Sequence, residues 1–150
     1  MKIQKLVTLV AVVGLTLAFI SQKNFLACNQ SVRKDKEIRL GQQVFGAEVA
    51  NTDATRQKGL GGRSCIGENQ AMLFEFNSPG NYSFWMKDMK FPLDIVWLSV
   101  DKKVVFIKNN VSPATYPQSF VNNQPAQYVL EIKAGKAKQL SLTKDTSISF

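Results

Sequence analysis

Residues 83–98 read SFWMKDMKFPLDIVWL. The last six, LDIVWL, are apolar at nearly every position and are broken only by Asp94, between Leu93 and Ile95. Six residues are too few for a buried helix and suit a strand, and a strand apolar on both faces is one covered on both sides. Residues 93–98 are therefore expected to form a central strand. The next run, KVVFIKN (103–109), follows a polar break near Asp101 and Lys102 and reads as its hairpin partner.

Period-2 patterning extends outward from this pair. VFGAEVA (44–50) reads as an opening strand. Thr52 then caps a short helix over DATRQK, which ends at Gly59. LGGRSCIGENQ (60–70) is a glycine-rich loop. MLFEF (72–76) and YSFWMK (82–87) alternate as strands and are separated by the turn-forming NSPGN. A Pro- and Asn-rich excursion occupies 109–125, long enough to be a functional or flexible loop. YVLEIKAG (128–135) returns to strand, KAKQL allows one helical turn, and SISF (147–150) closes the chain as a strand. The sum is a mainly β domain: a compact β-sandwich or squat barrel of six or seven strands with one or two short helices.

The bulk numbers bound the function. Across 150 residues, 45% are apolar and 20% charged, as in a globular chain. Seven of the 19 basic residues precede residue 41, against two of the 11 acids, so the high charge belongs mainly to the leader. No basic stripe or recognition motif points to nucleic acid. The chain contains no histidine. That removes Ser-His-Asp and Cys-His nucleophile chemistry and most catalytic zinc sites. Two cysteines, Cys28 and Cys65, allow at most one disulfide, and no metal or other cofactor is implied.

The N-terminus reads as an address. Lys2 and Lys5 precede the apolar run LVTLVAVVGLTLAFI (6–20), whose length of 15 residues fits a signal-peptide core and falls short of a full membrane span. FLAC (25–28) resembles a lipoprotein processing box and makes Cys28 a lipidation candidate. An uncleaved anchor is the rival reading. Residues 1–27 are thus a signal peptide or membrane anchor, 28–43 a polar tether, and 44–150 the domain. The expected location is extracytoplasmic, secreted or membrane-anchored, with the membrane as partner through the N-terminal segment.

Asp94 and Glu131 both sit in apolar strand sequence, where an unpaired carboxylate is costly. The cations within reach in sequence are Arg56, Arg63 and Lys87, with Trp85 beside the last. Arg63 has the geometry for a bidentate grip. Three readings follow. In the first, an acid pins the Arg63 loop to the sheet. In the second, Arg56, Arg63, Trp85, Lys87, Asp94 and Glu131 frame a cleft for a small polar or anionic ligand or an envelope partner. In the third, Asp94 and Glu131 act as a catalytic pair, as in glycoside hydrolysis.

The ordered set RQKGLGGR (56–63), MLFEF, FWMK (84–87), PLDI (92–95), YVLE (128–131) and Gly135 resembles the family known as domain of unknown function 192. The resemblance covers about 47–150. It implies a compact, mainly β domain that often follows an export leader, and it implies no activity. Arg56, Arg63, Lys87, Asp94 and Glu131 match the charged positions of the family pattern. Gly61, Ala71, Met89 and Lys144 depart from it. The favoured function is a noncatalytic binding or interaction module of the cell envelope. A carbohydrate-active or other hydrolase using Asp94 and Glu131 is the alternative.

Overall fold

The structure is a computed structural model and describes residue 28, residue 30 and residues 32–150. The apolar run at 6–20 and the processing box up to residue 27 lie outside the described residues.

Six strands form one sheet in the order β1-β2-β3-β8-β5-β6. These are β1 (Lys36–Leu40), β2 (Gln43–Ala50), β3 (Gln70–Gly80), β5 (Leu93–Leu98), β6 (Val104–Val111) and β8 (Ala126–Lys133). Two short strands, β4 (Phe84–Trp85) and β7 (Ser119–Phe120), pair separately as a ribbon. The helices are α1 (Asp53–Lys58) and α2 (Lys136–Gln139). The mainly β expectation holds, and the sheet does not close into a barrel.

β5 is central and buried along its whole length, as its two-sided apolar sequence requires. Ile95 and Trp97 face one layer, while Val96 and Leu98 face the other. The first layer holds α1, the glycine-rich loop with Leu60 and Ile66, and the β4–β7 ribbon with Phe84 and Phe120. The second holds α2 and the C-terminal segment, through Ala137, Leu142 and Ile148. β2 and β3 are parallel neighbours, and their crossover, α1 plus the loop, places residues 53–69 over the first face.

α1 starts where expected. The Thr52 hydroxyl accepts from the Thr55 amide and the Thr52 amide donates in turn to the Thr55 hydroxyl, a reciprocal cap. Gly59 ends the helix at φ +48°, a conformation costly for a side chain bearing Cβ.

Four expectations need correcting. The tether over 28–43 is not free of the fold: β1 pairs antiparallel with β2, and its Ile38 and Leu40 are fully buried. KEIRL looked polar because an edge strand shows only alternate residues to the core. NSPGN is not a hairpin turn, since β3 runs through to Gly80 and pairs with β2 and β8. β4 is two residues long and finds its partner in the excursion. SISF contributes isolated bridges instead of a strand. Arg39 and Ser149 exchange backbone bonds, and the Ile148 amide donates to the Lys102 carbonyl at 2.9 Å. The C-terminal segment thus touches both the β1 edge and the turn before β6, which curls the sheet without closing it.

Candidate functional site

Strand register sorts the acids. Asp94 on β5 lies opposite Ile132 on β8, whereas Glu131 lies opposite Ile95. Directly opposed residues share a face, so Asp94 and Glu131 project to opposite sides of the sheet. The paired-carboxylate reading is therefore overturned: no single groove can present both groups to one bond.

Asp94 is a structural pin. Fully buried on the α2 side, its Oδ1 accepts from the Asn110 amide at 2.7 Å and its Oδ2 from the Ala137 amide at 2.8 Å. It ties β6 and the first turn of α2 to the central strand. It does not reach the Arg63 loop.

Arg63 grips a different acid, Glu48 on β2. Its Nη1 meets Oε1 at 2.5 Å and its Nη2 meets Oε2 at 3.0 Å, a bidentate pair with a carboxylate that is 92% buried as a side chain. The hydrogen bond to Glu48 raises the already high basicity of Arg63. Glu48 therefore performs the loop-pinning role expected of Asp94 or Glu131. The acid inside the apolar run VFGAEVA was the available signal.

Glu131 stands apart. It occupies the same sheet face as Met72 and Ile95, its two cross-strand neighbours. Only 5% of it is exposed, and its Oε2 has no hydrogen-bond partner. Burial pushes its carboxyl up to about 8, opposed only in part by the charge of Arg63, so it is mainly a neutral acid at pH 7.

Glu131 lines a cleft of about 320 Å³ between the sheet, α1 and the ribbon. The walls include Leu60, Phe74, Phe76, Phe84 and Met89, with Tyr82 stacked on Phe76 at 3.4 Å between ring centroids. Trp85 stands at the rim, 51% exposed, because β4 buries Phe84 and turns the next side chain outward. Arg56 lies over Phe76 at 5.2 Å and is engaged by Asp53 at 2.6 Å and the Glu75 carbonyl at 2.9 Å. Lys58 and Lys87 line the same rim, and among the described residues neither has an ion-pair partner. A shallow groove continues past Trp85, Lys58 and Lys87 to Gly61 and Gly62.

Of the six candidates, Arg56, Trp85, Lys87 and Glu131 meet at this cleft. Arg63 lies beside it on Glu48, and Asp94 lies on the far side of the sheet. Lys58 escaped notice because α1 read as a bare connector, and the Phe76–Tyr82 stack because the two residues read as parts of separate strands across a turn. Cys28 is also placed differently: its sulfur is bonded to that of Cys65. A sulfur held in a disulfide cannot carry a lipid thioether, which corrects the lipidation reading.

The model of the family DUF192, described as an uncharacterized ACR, matches residues 35–150. A crystallised protein of unknown function from Novosphingobium aromaticivorans is similar to the chain at 30% identity and a TM-score of 0.71. That match covers 76% of this chain and 84% of the other. A Sinorhizobium meliloti protein, provisionally designated a transcription regulator, is similar at 26% identity and a TM-score of 0.72. Here 80% of this chain and 97% of the other are covered. No curated protein matches the chain.

Proposed function

The chain belongs to the DUF192 family, described as uncharacterized, and from its cleft we propose a noncatalytic binding module of the cell envelope that takes a small polar or anionic ligand. One observation carries this reading. A buried carboxyl oxygen without a partner is costly, and such groups persist where something outside the chain completes them. Glu131 supplies that oxygen at the wall of an apolar cleft, the usual form of a small-molecule site.

Catalysis is not favoured, because the acids nearest the cleft are already engaged: Glu48, on the same face as Glu131, by Arg63, and Asp53 by Arg56. A nucleic-acid role has little support, since Arg56 and Arg63 are engaged by Asp53 and Glu48. The extracytoplasmic setting draws support from two features. An apolar run precedes the domain, and a disulfide persists best in an oxidising compartment.

The test is thermal unfolding of the protein screened against sugars, phosphates, aromatic acids and peptides. We expect at least one class to raise the midpoint in the wild type and not in Glu131→Leu. A ligand effect that survives both Glu131→Leu and Lys87→Met unchanged would place binding elsewhere.

A further inference from the structure

The cleft has chemically distinct zones. Glu131 supplies a carboxyl hydrogen-bonding group that is buried against the sheet and unsatisfied within the protein. At the exposed rim Lys58 and Lys87 stand with Trp85, and among the described residues no carboxylate neutralises either lysine. Phe74, Phe76, Phe84 and Met89 give the cleft an apolar stretch, and Asp53, Gln57 and Ser83 add polar groups to its lining.

A ligand that satisfies every zone has an apolar planar body with a polar uncharged group on one side and an anion on the other. The orientation follows from electrostatics. An anion turned inward would meet a buried acid, with the nearby Arg63 already gripped by Glu48, and would lose its hydration. The same anion turned outward meets two lysine ammonium groups and keeps part of its water. A hydroxyl or carbonyl turned inward completes Glu131. A sugar fits less well, because hydroxyls set against Phe74, Phe76 and Phe84 would lose their hydrogen bonds to water. Aromatic rings instead favour edge and offset contacts with Phe and Tyr.

Resting on the binding role proposed above, we infer that the cleft is specific for aromatic acids: a ring bearing a carboxylate or phosphate held at Lys58 and Lys87, and a hydroxyl or carbonyl held by Glu131. The distal polar group sets selectivity, since a ligand lacking it leaves Glu131 unsatisfied. The lysines add affinity and salt dependence.

Four probes test this: 4-hydroxyphenylacetate, phenylacetate, 4-hydroxyphenylethanol and galacturonate, each titrated into the protein by calorimetry with amide shifts recorded in parallel. The expected order places 4-hydroxyphenylacetate first. Removing its hydroxyl weakens binding about tenfold and removing its charge about fivefold. In Lys58→Met/Lys87→Met the advantage of the acid over the alcohol disappears. In Glu131→Leu the advantage of the hydroxyl disappears. Equal binding of acid and alcohol by the wild type would overturn the anionic assignment. Binding of galacturonate at Glu131 and Trp85 without any aryl compound would overturn the ligand class and keep the cleft as a site. Shifts confined to other regions, or none with any probe, would overturn both.

Discussion

Three buried acids, Glu48, Asp94 and Glu131, lie in similar apolar strand sequence and have different fates. Asp94 accepts two backbone N–H bonds on the α2 side. Asp94→Asn would turn an amide donor toward one of those N–H groups, and the loss should be about 2 kcal/mol or more of unfolding free energy. Chemical denaturation measures it; an unchanged midpoint would mean the two bonds contribute nothing. Glu131 carries the opposite sign of pH dependence to an ordinary paired acid. Its folded value is about 8 against a reference of 4.5. Between those values the unfolded chain gives up a proton that the folded chain keeps. Stability contributed by this residue is thus greatest in acid, falls as pH rises through that window by up to about 1.4 kcal/mol per unit, and levels off above it. Urea unfolding at pH 5 and pH 8 should show a steeper fall for the wild type than for Glu131→Gln. Equal slopes would mean the side chain is hydrated or paired. Sequence alone marked Asp94 and Glu131 as acids needing an explanation. It could not assign their faces, because facing depends on register between strands 37 positions apart in sequence, and one residue of slip reverses it.

At the scale of elements, the loop carrying Arg63 is clamped to β2 through Glu48, while Glu68 further along the same loop pairs with Lys133 and Lys136. Arg63→Ala leaves Glu48 buried, with the exposed Arg33 at 3.8 Å as its remaining ion-pair partner among the described residues, and should cost about 2–3 kcal/mol. Arg63→Met combined with Glu48→Leu should recover most of that loss, because no charge is then stranded. A double variant as unstable as Arg63→Ala would show that packing, not charge, fixes the loop. The strands with strong alternation or two-sided burial, β2, β5, β6 and β8, were legible from sequence. β1 was not, because KEIRL interleaves charge with only two core residues. The β4–β7 pairing was hidden for another reason: its second strand sits in a Pro- and Asn-rich stretch whose local signals say loop, and only tertiary contact with Phe84 selects it.

For the whole molecule, the Cys28–Cys65 bond ties the approach to β1 to the glycine-rich loop across 37 positions of sequence. Closing a loop of that size in the unfolded chain corresponds to roughly 3–4 kcal/mol. Reduction, or Cys28→Ser with Cys65→Ser, should lower stability by about that amount. Wild-type stability unchanged by a dithiol reductant would show that the bond does not form in solution. The cleft lies on the sheet face opposite α2, so its chemistry depends on the layer made by α1, the loop and the ribbon. The central claim is that this cleft is a ligand site completed by Glu131. Its most direct measurement is a fragment soak of crystals of the protein. Fragments should collect in the cleft, with a polar atom within hydrogen-bonding distance of Glu131 Oε2 and a ring against Phe74, Phe76 or Trp85. A cleft left empty while fragments bind at other surfaces would contradict the account.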